Sequence, residues 1–116
     1  MKLTINKCLK ECRNTTNCVL AKFQVDNIDN IFLKLISEAS SLPRTITLTK
    51  ESYYWHGVCK SLIFRFPDDL EILKRKVSQN STKGIIEIKS SSRFGLYDLG
   101  VNQRRVNGLY NKLINK

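Results

Sequence analysis

His56 is the single histidine of the chain. An imidazole titrates near neutral pH and can act as acid or base when a second group lies within reach. Arginines and tyrosines that stabilise charge on a phosphorus centre would complete a small metal-independent ribonuclease. His56, Arg93, Tyr97 and Arg104 are its conceivable members. His56 is followed by Gly57, however, and this pair reads as a two-residue hairpin turn, where a solvated polar side chain is ordinary. Asp68, Asp69 and Glu71 read as acids in the first turn of a helix rather than as a metal cluster. No H-E-x-x-H, Walker, G-x-S-x-G or G-x-G-x-x-G pattern is present. The sequence therefore assigns no catalytic residue, no metal site and no cofactor, and leans against an enzyme.

The four cysteines are Cys8, Cys12, Cys18 and Cys59. Zinc sites usually show paired short spacings such as C-x2-C, which this chain lacks. The residues after Met1 lack the apolar core of a signal peptide, so reduced buried thiols and a cytosolic or nucleoid location are expected.

The formal net charge is +10 over 116 residues. Such an excess favours polyanionic partners, nucleic acid (RNA or DNA) before a membrane surface. It is unevenly placed: residues 1–71 hold ten Lys and Arg against eight Asp and Glu, whereas residues 72–116 hold ten against only Glu87 and Asp98. The candidate nucleic-acid contacts are accordingly Lys74, Arg75, Lys76, Lys83, Lys89, Arg93, Arg104, Arg105 and Lys112. Arg93 follows three serines, a loop chemistry suited to receiving a phosphate. An acidic protein surface is the alternative partner, bound by an inhibitor, adaptor or assembly subunit. The bias to Lys, Asn and Ile hints at an AT-rich genome such as that of a phage or mobile element.

These residues need elements to hold them. "CVLAKFQV" alternates, with Val19, Ala21, Phe23 and Val25 on one face of a strand. Ile28, Ile31, Phe32, Leu35, Ile36 and Ala39 form the stripe of a helix over 27–41, with Asp26 or Asn27 as cap and Pro43 beyond its end. "RTITLTKESYYW" and "VCKSLIFRF" read as a strand pair joined by His56-Gly57. "PDDLEILKRKVSQN" reads as a second helix, with acids first, cations later and Leu70, Leu73 and Val77 as its stripe. "IIEIK" is another strand. "VNQRRVNGLYNKLI" is a final helix, with Asn102 as cap, Val106, Leu109 and Leu113 inward, and Arg104, Arg105 and Lys112 facing solvent.

The order is a single small basic α+β domain of the ferredoxin-like, split-βαβ plan (βαββαβ) with an added C-terminal helix. In that plan Val19, Phe23, Ile46, Leu48, Phe64, Phe66, Ile86 and Ile88 meet the helices. Lys22, Gln24, Thr47, Thr49, Arg65, Glu87 and Lys89 form an open face, with Tyr53 and Trp55 near one end. "KSLIFRF" lacks the glycine-containing aromatic pattern of the common RNA-recognition module. The expected function is a small nucleic-acid-binding protein that grips phosphates mainly through its C-terminal third. No helix long enough to cross a membrane is expected.

Overall fold

The computed structural model describes residues 8–62, 65–95 and 98–114. The elements are β1 (Cys18–Val25), α1 (Ile28–Ser40), β2 (Thr45–Lys50), β3 (Tyr54–Lys60), β4 (Pro67–Lys76), β5 (Gly84–Ser92) and α2 (Val101–Ile114). The strands form one five-stranded sheet in the order β1-β5-β4-β3-β2. All four ladders are antiparallel. The chain is α+β, as its alternation suggests, but the strand order is not that of a ferredoxin-like sheet.

The departure begins at residues 67–76, which form a strand and not the expected helix. Asp68, Leu70 and Ile72 are buried on the face turned to the helices, and Asp69, Glu71 and Leu73 turn to the other. The acids that mimic a helix start are satisfied by tertiary partners instead: Asp68 by Arg105 and Asp69 by Arg93. A second correction concerns His56 and Gly57, which lie inside β3 opposite Glu71 and Leu70. The actual reversal between β2 and β3 is at residues 51–53, where Glu51 N–H donates to the Tyr54 carbonyl at 2.8 Å. Gly57 is needed there for space and not for positive φ. A Cβ on it would stand 2.8 Å from Cζ2 of Trp55 and 3.0 Å from the Ile46 carbonyl oxygen.

Both helices pack on one face of the sheet. Ile28, Phe32, Leu35, Ile36 and Ala39 of α1 meet Trp55, Leu70, Ile72, Ile86 and Ile88, together with Val106, Leu109 and Leu113 of α2. Val19, Ala21, Phe23 and Val25 border this core. Trp55 is fully buried, and its indole N–H donates to Thr47 Oγ1 at 3.2 Å. It therefore belongs to the core and not to the open face; Thr47, exposed on the edge strand, turns to the same side. Ile46, Leu48 and Phe66, expected inside, are exposed; Phe64 lies outside the described residues. Asn27 stands at the N-cap of α1 in left-handed conformation without a side-chain bond. The first free N–H, of Ile28, is taken by the Thr82 carbonyl from the β4–β5 turn at 2.8 Å.

The cysteine reading is also corrected. The loop 13–17 turns the chain so that Cys12 and Cys18, 5.7 Å apart at Cα, are joined in a disulfide. Cys8 is a free exposed thiol and Cys59 a free buried one. No described helix is long and apolar enough to cross a membrane.

Candidate functional site

The open face gathers ionisable side chains on three neighbouring strands. Lys89 of β5, Glu71 of β4 and His56 of β3 lie side by side in register. One row over, Asp69 accepts a hydrogen bond from Arg93 Nε at 2.9 Å and another from Arg93 Nη2 at 2.9 Å. His56 Nε2 lies 2.8 Å from Asp69 Oδ1. Burial raises the Asp69 carboxyl, but the bonds from Arg93 and His56 outweigh it and hold the group below the usual carboxylate range. The Tyr54 hydroxyl donates to Glu71 Oε2 at 2.5 Å. Burial, followed by the adjoining Glu71 carboxylate, pushes Tyr54 well above the ordinary phenol range. Asp69 thus fixes the imidazole edge, and an acid–base group stands beside two cations able to receive an anion.

Across this face runs the segment 8–12. Leu9 is buried against it, and its N–H donates to Glu87 Oε1 at 2.9 Å. Glu87 is fully buried and is also held by Arg75 Nε at 2.8 Å. A buried carboxylate is tolerated only when its lone pairs are occupied, and these two donors occupy both oxygens. The Cys12–Cys18 bond then ties the segment to the head of β1. Between this strap and the sheet lies a cleft of about 460 Å³. Lys10, Arg13, Lys89 and Arg93 are among the residues that line it, with Asn14 and Ser91 as uncharged donors. Asn17, whose amide donates to the Gly95 carbonyl, and Ser92, whose hydroxyl meets Asn102 on the other face, also border it. Among the described residues Glu11 is the one acid lining it, and it is drawn to Lys22 at 3.5 Å.

The expected contact residues do not converge. Lys74 and Lys76 point to the helix side and pair with Asp29 of α1 at 2.8 and 3.0 Å. Lys74 also stands 5.0 Å above the Phe32 ring. Arg75, between them, reaches through the other face to Glu87. Lys112 pairs with Glu38 at 3.1 Å. Arg104 is exposed and donates to the Leu99 carbonyl at 3.1 Å. Arg105 turns inward, contrary to expectation. Its Nη1 donates to Asp68 Oδ2 at 3.0 Å, Ser90 Oγ at 2.9 Å and Asn102 Oδ1 at 2.9 Å. Asn102 is no cap: it is fully buried and donates to Asp98 Oδ2 at 2.8 Å and Ser92 Oγ at 3.0 Å. Burial raises the Asp98 carboxyl, yet the bonds from Asn102 and Gly100 bring it below its ordinary value. Lys83 is exposed at the β4–β5 turn. Only Lys89 and Arg93 of the nine reach the cleft, and Tyr97 lies outside the described residues.

Sequence reasoning missed Lys10, Arg13, Asp69 and Glu71. For the latter two the signal was present as the alternation Asp68, Leu70, Ile72 against Asp69, Glu71, Leu73. For Lys10 and Arg13 it lay in the Cys12–Cys18 spacing, which brings their segment against β1. Among the described residues no group of three or more His, Cys, Asp or Glu is placed to hold a metal ion.

Fold and site together define a small basic two-layer α+β domain whose open sheet face is crossed by a disulfide-tied strap beside a cationic cleft. Residues 8–113 match the model of the family described as Protein of unknown function (DUF1499), and the chain belongs to that family. No curated protein matches its sequence.

Proposed function

We propose that this domain binds nucleic acid, with its phosphates received in the cleft of Lys10, Arg13, Lys89 and Arg93. The site moves from the C-terminal third to the open face. The observation that carries this reading is the meeting of four cations from two distant stretches around one cleft, with Asn14 and Ser91 beside them. Six of the nine C-terminal cations, by contrast, are engaged with carboxylates of the chain itself. Arg93 belongs to both sets: Asp69 orients its fork and leaves Nη1 for a phosphate oxygen.

Four phosphate contacts give a log K against log salt slope of about −3 on single strands and nearer −4 on duplex. Anisotropy of labelled RNA and DNA oligonucleotides over a salt series measures it. Arg13→Ala with Lys89→Ala is expected to flatten the slope by about 2, and Arg104→Ala to leave it in place. Absence of binding at the lowest salt, or an unchanged slope in the double variant, refutes the proposal.

A second reading, docking on a protein, is favoured by one observation: the edge strand β2 presents Ile46 and Leu48 to solvent at 59% and 55% exposure. An edge with apolar side chains invites strand addition by a partner. Pull-down from nuclease-treated lysate with wild-type chain and Ile46→Lys separates the two. A partner retained by the former and lost by the latter favours docking.

A further inference from the structure

The strap supplies Lys10, Arg13 and Asn14 to the cleft, and it is fastened at few points. Its described ties include the Cys12–Cys18 bond, the buried Leu9 side chain, the Leu9 N–H bond to Glu87 and the exposed Glu11–Lys22 pair, while the loop beyond it is bonded through the Thr16 carbonyl to Asp98 N–H and through the Asn17 amide to the Gly95 carbonyl. The covalent tie borders the cleft. Cys18 itself lines the cleft, and Cys12 lies between Lys10 and Arg13. Disulfides persist in oxidising compartments and are opened by cellular dithiols in reducing ones. This bond therefore has two chemical states, and they differ where the ligand would sit.

We propose that the Cys12–Cys18 disulfide is a redox latch that firms the nucleic-acid cleft when closed and loosens it when opened. The proposal rests on the binding reading given above. Opening takes a dithiol reductant. One of its thiolates attacks a sulfur of the bond and expels the other cysteine as thiolate, leaving a mixed disulfide. The second reductant thiol then displaces the protein sulfur. Two electrons pass to the protein, Cys12 and Cys18 end as thiols after taking up two protons, and the reductant ends as its own disulfide. Lys10 and Arg13 then lose the covalent tie between them and are held by noncovalent bonds alone, at Leu9 on one side and at Thr16 and Asn17 on the other. The cleft retains Lys89 and Arg93, which stand on β5 and at its end. Phosphate binding weakens because half the cationic wall is held less firmly in place.

The test compares oxidised protein with protein reduced by dithiothreitol, titrated with the same labelled oligonucleotide over a salt series. Mass spectrometry after thiol alkylation reports the state of each cysteine. Reduction is expected to lower affinity by about tenfold or more and to flatten the salt slope by about 2, the share of Lys10 and Arg13. Oxidised Lys10→Ala with Arg13→Ala is expected to match reduced wild type without disturbing the bond. Cys12→Ser with Cys18→Ser is expected to bind weakly in either condition, with its folding checked by near-UV circular dichroism. Cys8→Ser is expected to keep the full redox response. Equal affinity and slope for oxidised and reduced wild type overturn the latch while leaving binding itself intact. Loss of the response in Cys8→Ser also overturns it. Failure of the oxidised wild type to bind refutes the underlying function instead.

Discussion

Arg104 and Arg105 are neighbours of identical type, and the structure gives them opposite fates. Replacing Arg105 by alanine leaves Asp68 as a charge with only 7% of its side chain exposed and no cationic partner. Breaking a buried pair by removing one member costs about 3–5 kcal/mol. The pair lies at the margin of the core, with Arg105 12% exposed, so the low end of that range, about 3 kcal/mol, applies. Ser90 Oγ and Asn102 Oδ1 lose the same donor, although the bond from Ser90 to Asn102 at 2.6 Å remains. With a urea m-value of about 1.5 kcal/mol per molar, the unfolding midpoint falls by roughly 2 M. Arg104→Ala removes one exposed bond to a loop carbonyl and is expected to stay within about 0.5 kcal/mol, or roughly 0.3 M. Urea titration followed by far-UV circular dichroism, with every variant kept oxidised, decides the matter. The double replacement Arg105→Met with Asp68→Leu removes both charges together and is expected to recover most of the loss. If Arg104→Ala and Arg105→Ala shift the midpoint equally, the inward Arg105 and the buried network around it are wrong.

Two further expectations concern stability. Gly57→Ala is expected to cost about 1–3 kcal/mol, because the buried Trp55 ring has no room to yield, and to lower the melting temperature by roughly 5–10 °C. Gly108→Ala, with no atom near the added methyl, is expected to raise stability by up to about 1 kcal/mol. Calorimetry reads both, and a destabilised Gly108→Ala would contradict the open surroundings of that turn of α2. The carboxyl of Asp69 is held below its unfolded value of about 3.9, so its pairing stabilises the fold above that pH and is lost as pH falls through the lower folded value. Urea midpoints measured between about pH 2 and 6 are expected to show a shallower acid limb in Asp69→Asn than in wild type. An identical limb would mean that Arg93 and His56 do not hold Asp69 in solution.

The parts legible in the sequence are those with a single clean period. The stripe Ile28, Phe32, Leu35, Ile36, Ala39 and the alternation Val19, Ala21, Phe23, Val25 each bury one face, and both were read correctly. Residues 67–76 carried two signals at once. Their Leu70-Leu73-Val77 spacing and acid-to-base gradient imitate a helix, yet their partners, Arg105 below the sheet and Arg93 above it, are far off in the chain. Local pattern cannot reveal partners supplied by tertiary structure. The same holds for the site. Charge counting located the cations of residues 72–116 but not their carboxylates, so it overstated how many were free. His56-Gly57 imitates a turn because a glycine that makes room for a tryptophan two residues away looks the same in sequence as one that reverses the chain.

The sheet order also governs when the molecule can be assembled. Strands β2 to β5 pair with their immediate neighbours in sequence, so that meander can grow as a run of short closures. β1 is made first, yet its ladder is with β5, Cys18 opposite Ser91 and Val25 opposite Gly84. Even the first N–H of α1 finds its acceptor only at Thr82. On the ribosome, then, the first strand of the domain waits through the synthesis of nearly all the rest, and a nascent chain that stops short of Gly84 has no native ladder in which to place it.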